Sequence, residues 1–195
     1  IPSLIFSLSF HEFAHAWMAF KLGDNTAAKL GRLTLNPMAH LDPVGSIALL
    51  LMGFGWAKPV PVDVRFLKNP KEDMVKIAAA GPISNLFLAV IAALCLRFLF
   101  GNNLLTGSIK SFIVIFMQIN ITLAIFNLLP VSPLDGSQIL SPFIERKFGI
   151  EMVYKMEMYG PKILFFIVIF SMVTGIHLFS FIINPIFNLF LYIFF

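Results

Sequence analysis

A chain of 195 residues with 58% hydrophobic and only 12% charged side chains cannot coat a water-soluble globule, which carries about 25% charged residues. A membrane protein is the class that fits. The net charge of +4 calls for no nucleic-acid partner, because a basic rim beside anionic lipid accounts for it, and the single cysteine, Cys95, excludes an internal disulfide framework.

Taken in chain order, Ile1–Phe20 is the first stretch long enough to cross a bilayer, which takes about 20 mostly apolar residues, provided its histidines are tolerated. The chain opens on Ile1 rather than methionine, so further N-terminal sequence is expected. Ile1–Phe10 lacks the basic start and small-residue cleavage site of a signal peptide. Residues 21–37, with Gly, Asn and β-branched residues, predict short strands or a hairpin at the membrane surface. Val44–Trp56 is apolar but too short to span and reads as a re-entrant or interfacial helix, with Asp42 as N-cap and Pro43 as its first residue. Residues 57–70 again predict surface strands. Val75–Phe100 and Ile109–Leu129 are clear spans. Residues 133–162 carry several charges and suggest one or two interfacial helices. Ile163–Ile182 is a fourth span, after which Asn184-Pro185 is expected to break the helix, leaving Ile186–Phe195 too short to cross alone.

The expected fold is therefore an all-α polytopic membrane protein with about four transmembrane helices, a re-entrant helix and short membrane-surface β-strands. Residues 1–195 form one domain in this reading. If 44–56 does not cross, twelve of the fourteen Lys and Arg residues share one face, and only Arg97 and Lys110 remain on the other. That bias makes the basic face cytoplasmic.

The polar residues inside the apolar segments carry the chemistry. In "SLSFHEFAHAWMAF" (7–20), His11 and His15 are four apart, so they share one helix face and can grip one ion. Glu12 follows the first of them, as in the HExxH motif, where it is general base toward a metal-bound water. Ionisable residues within a span point to function by default. Zinc takes a third protein ligand and an open position, and Asp135, just past the Pro130 end of the third span, is the candidate at a matching depth. Taken alone, Asp135-Gly136 would read as a turn or cap.

HEFAH, "AAAGPISN" (78–85) and "NLLPVSPLDG" (127–136), in that order on three long segments, resemble the three signatures of the site-2 protease family of intramembrane zinc metalloproteases, peptidase family M50. The resemblance covers most of residues 1–140. "GRLTLNPMAHLDPVGS" (31–46) is similar to the compact bacterial and archaeal branch, and no PDZ or CBS domain is seen. The resemblance implies one zinc ion held by His11, His15 and Asp135, water activation by Glu12, and Asn85 and Asn127 lining the site. The implied substrate is a transmembrane protein or peptide, cut within or near its membrane segment. The implied setting is the plasma membrane, with the site opening to the cytoplasm.

Several residues have two readings. Asn85 could hold the substrate backbone or donate to the oxyanion, or make an interhelical hydrogen bond. Asn127 could touch substrate or brace the Pro130 turn. His40 could stand behind the metal ligands or gate the site, although a loop histidine with local partners is the preferred reading. His177, about 22 Å along its helix from Lys162, reads as structural. The rival functions are a metal transporter, which needs polar groups across the whole membrane, and a catalytically inactive scaffold binding membrane helices, which has no use for Glu12.

Overall fold

The computed structural model describes residues 1–52, 55–101, 107–175 and 179–194. Among these residues eight α-helices follow one another: α1 Pro2–Lys21, α2 Thr26–Lys29, α3 Pro43–Met52, α4 Pro70–Gly101, α5 Gly107–Asn127, α6 Asp135–Phe148, α7 Ile150–Thr174 and α8 Ser180–Phe194, with short 3-10 turns at Pro37–Ala39 and Val64–Phe66. The chain forms two compact units, Ile1–Ser84 and Asn85–Phe195, with α4 contributing to both.

In the first unit, α1 starts with a proline in its opening turn, where a missing N–H costs nothing, and ends on Lys21, which suits the negative end of the helix dipole. Ser3, Ser7, His11 and His15, each four residues apart, are all buried. Ala19, Leu67 and Ile77 form a small core with Met18, Leu22, Val62 and Met74 packed on it. The α3 helix begins as its sequence predicts, with the Gly45 N–H donating to Asp42 Oδ1 at 2.8 Å. Its ten residues rise only about 15 Å, half of a bilayer's hydrocarbon core.

Among the described residues the predicted membrane-surface strands are absent, and the β-pairing found is an isolated bridge from Leu41 to Ala57, on either side of α3. Short polar side chains capture the backbone donors that a ladder would need. Asp24 Oδ1 accepts from the Thr26 N–H at 2.9 Å and its Oδ2 from the Asp63 N–H at 2.8 Å. Asn36 accepts from the Met38 N–H, and Asp63 from that of Arg65. Pro59 and Pro61 have no N–H to give. The Arg65 guanidinium, bonded to Asp63, holds that carboxyl down at about 2.

Asp24 is fully buried and ties the turn after α1 to the loop before α4. Asp24→Ala strands two backbone donors and is expected to cost about 1–3 kcal/mol, a fall of several degrees in the melting temperature. Asp24→Asn, which keeps one acceptor, should fall between. Thermal melts of the purified chain, followed by circular dichroism, test this.

In the second unit, the later part of α4 presents Ala89, Ala92, Ala93 and Leu96 to Met117, Ile121 and Ile125 of α5. Small residues let helices approach closely where lipid offers no hydrophobic drive. Ile183, Phe187, Phe190 and Leu191 of α8 pack on the same cluster. The α6 and α7 helices are joined through Gly149 and lie against each other.

Among the described residues, three helices are long and apolar enough to cross a membrane: Pro70–Leu99, Gly107–Asn127 and Ile150–Thr174. This corrects the count of about four. The α1 helix has the length, but its serines, Glu12 and two histidines lower its hydropathy. The last predicted span, Ile163–Ile182, is displaced, because α7 starts at Ile150 and stops at Thr174 before the left-handed Gly175. Residues 176–178 lie outside the described residues, and the reading of His177 with them. The α8 helix runs through Pro185, which sits one turn in and forfeits a single hydrogen bond.

Candidate metal centre

The helical spacing of HEFAH brings the two imidazoles of α1 together. His11 Nε2 and His15 Nε2 stand 3.0 Å apart, with ring centroids 4.6 Å apart and planes at 82°. Both residues are buried, and so is Glu12 between them. His15 Nδ1 lies 2.7 Å from the Ile77 carbonyl oxygen of α4, which can only accept. The proton of a neutral His15 therefore sits on Nδ1, and its Nε2 lone pair faces His11. A backbone carbonyl behind a histidine is the usual device for aiming a metal ligand.

Zinc–imidazole bonds of about 2.0–2.1 Å in a tetrahedron set two nitrogens about 3.3 Å apart. The 3.0 Å separation is close to that edge, so the pair fits a shared cation. Gly81 of α4 makes room for it. A Cβ at that position would lie 2.6 Å from His11 Nε2 and from His11 Cε1, and closer still to His15 Nε2. A side chain there would occupy the space beside both Nε2 atoms.

His40 is buried in the same unit. Its Nε2–H donates to the Thr34 carbonyl at 2.7 Å, its Nδ1 lies 3.5 Å from Arg32 Nη2, and its own carbonyl accepts from the Lys58 N–H. Arg32 Nη2 also donates to the Lys58 carbonyl. His40 thus has the local partners of a loop histidine and fastens the two ends of the α3 excursion.

The remaining candidates lie in the second unit. Asp135 is the first residue of α6, half-buried, where a carboxylate suits the positive end of the helix. Its position is set by two close approaches of backbone. A Cβ on Gly136 would meet the Leu128 carbonyl and come within 2.5 Å of Leu129 O. One on Gly160 of α7 would lie 2.7 Å from Ser132. Asn127 Nδ2 donates back to the Leu123 carbonyl at 3.0 Å, a bond along its own helix α5.

Asn85 is fully buried, and its Nδ2 donates to Asn120 Oδ1 at 2.9 Å. Asn120, equally buried, donates in turn to the Phe116 carbonyl at 2.9 Å. Asn120 did not stand out in the sequence beyond being one polar residue in an apolar run. That isolation was the available signal, as it was for Asn85.

The model of peptidase family M50 matches residues 1–171, a span that includes both histidines, Glu12, the two buried asparagines and Asp135. Zinc metalloprotease YwhC of Bacillus subtilis is 42% identical over 193 residues, covering 96% of this chain and 85% of the relative. Zinc metalloprotease Rip2 of Mycobacterium tuberculosis is 31% identical over 150 residues, 74% of this chain and 56% of that protein. Zinc metalloprotease MJ0611 of Methanocaldococcus jannaschii is 32% identical, over 74% of this chain and 71% of its own. No solved structure matches the chain. A family match that runs through the whole HEFAH helix and on into α7 has one meaning: the chain belongs to peptidase family M50, the site-2 protease family.

Proposed function

We propose that this chain cuts membrane proteins at a peptide bond within or beside a transmembrane segment, with His11, His15 and Asp135 holding zinc and Glu12 handling the proton. Family membership makes it a zinc metalloendopeptidase. Its three apolar helices make it a membrane protein. The observation that carries the finer reading is the convergence of two buried imidazole nitrogens at 3.0 Å, inside a chain whose composition leaves polar groups scarce. The basic bias of one face supports the plasma membrane, with the site reached from the cytoplasm.

When bound, zinc polarises the scissile carbonyl and lowers the pKa of water toward ~7. The chain's residues do the rest. His15 keeps its proton on Nδ1, against the Ile77 carbonyl, so its Nε2 lone pair is committed to the ion. Asp135 adds a negative donor, which offsets ionic charge that two neutral imidazoles leave standing. Glu12 takes the proton of the attacking water as the new C–O bond forms. It returns that proton to the amine nitrogen as the C–N bond breaks. Asn85 holds the substrate backbone or the developing oxyanion, and Asn127 contacts the substrate near the end of α5. A helical substrate hides its peptide bonds, so the cut segment must be unwound before it reaches them.

The test uses the purified full chain with a panel of tagged single-pass membrane proteins and with unfolded casein. Cleavage within a transmembrane segment, lost on treatment with a zinc chelator and restored by added zinc, is the expected result. Cleavage confined to casein or to loops far from the membrane would overturn the intramembrane reading while leaving the peptidase intact.

A further inference from the structure

We infer that Asn120 is a positioning residue of the peptidase site, holding Asn85 in one amide orientation for the substrate; this rests on Asn85 having the substrate role proposed above. Two primary amides are fully buried in the second unit, among helices whose other contacts are alanine, leucine, isoleucine, methionine and phenylalanine. A buried amide without partners is costly, and two of them facing each other could be a simple interhelical tie. Their polarity argues for more than a tie.

An amide has a donor end and an acceptor end that differ by a 180° flip. The Phe116 carbonyl can only accept, so the bond from Asn120 Nδ2 at 2.9 Å fixes which end of Asn120 points back along α5. Its Oδ1 is thereby turned to Asn85. Only the Nδ2 end of Asn85 can answer it, at 2.9 Å. A backbone carbonyl thus reaches the Asn85 amide through one intermediate and favours one of its flip states. For an amide that must present a given atom to a peptide, the wrong flip offers repulsion in place of a bond.

The relay predicts specific kinetics. Asn120→Ala removes the bond that Asn120 Oδ1 offers to the Asn85 amide and is expected to lower kcat/KM about 10-fold, the loss of one oriented hydrogen bond, with zinc content unchanged. Asn85→Ala removes the contact itself and should lower it at least as far. The double variant should be no worse than Asn85→Ala, because Asn120 acts only through Asn85. Asn120→Asp supplies the readout that packing alone would not move. Protonated or ionised, its carboxyl still turns an oxygen to Asn85 Nδ2, whereas Asn120→Leu has a similar volume and no acceptor. Asn120→Asp should therefore stay near the wild-type rate and Asn120→Leu should be as slow as Asn120→Ala.

The experiment measures kcat and KM for the five variants on the fastest-cleaved member of the panel, with zinc quantified in each preparation. Non-additivity, with Asn120→Asp faster than Asn120→Leu, would support the relay. Additive losses, or a wild-type rate in Asn120→Ala beside a slow Asn85→Ala, would overturn the relay and leave the role of Asn85 standing. A wild-type rate in Asn85→Ala would overturn the substrate role of Asn85, and the relay with it.

Discussion

Glu12→Gln should leave a folded protein that binds one zinc ion per chain and cuts peptide bonds at most one-hundredth as fast as the wild type. The substitution keeps the shape of the side chain and removes its ability to take a proton. Positioned general bases contribute about 10²–10⁴-fold, so the loss should fall within or beyond that range. Zinc content should persist because Glu12 is outside the proposed ligand set. His11→Ala, by contrast, should lower zinc content and activity together. This pairing separates proton transfer from metal binding. Equal rates for Glu12→Gln and wild type would remove Glu12 from the mechanism. Loss of zinc in Glu12→Gln would instead make it a ligand.

The chemistry of the site was more legible in the sequence than its architecture. His11, Glu12 and His15 stood out because ionisable residues are rare in this composition and their spacing matches one helix face. Asp135 was legible only as a candidate, since an Asp-Gly pair at a helix start reads equally as a cap. The helices were visible wherever apolar runs were long. The surface strands were wrongly expected because β-branched residues in 21–37 and 57–70 were weighed above Asp24, Asn36 and Asp63, whose side chains take the backbone donors locally. The start of α7 at Ile150 was missed because Glu151, Lys155 and Glu157 hide an apolar helix until Lys162 is passed. Contacts made by backbone atoms have no sequence signal at all. The Ile77 carbonyl behind His15 belongs to this group, and so does the Phe116 carbonyl that sets Asn120.

Gly81 makes the same point with a measurable consequence. Its missing side chain leaves open the space beside His11 Nε2 and His15 Nε2. Gly81→Ala sets a methyl 2.6 Å from His11 Nε2 and nearer still to His15 Nε2. Neither ring can swing clear at low cost. The His15 ring is held by its bond to the Ile77 carbonyl, and both rings are buried on one face of α1. Either the rings part or α4 moves away, and each outcome separates the two ligands. Disturbing the groups that aim a metal ligand costs about 10–100-fold in affinity, and filling the site itself should cost at least that. Helix propensity offsets little of this, because the site precedes Pro82, where a Cβ is disfavoured in the helical region, and overpacking a buried site costs about 1–3 kcal/mol. The expected variant is therefore folded, melts without zinc a few degrees below the wild type, and has lost both zinc affinity and proteolysis. Zinc titration against a competing chelator, beside apo-protein melts, separates these effects. Wild-type zinc affinity in Gly81→Ala would show that the ion does not lie where the two Nε2 atoms converge.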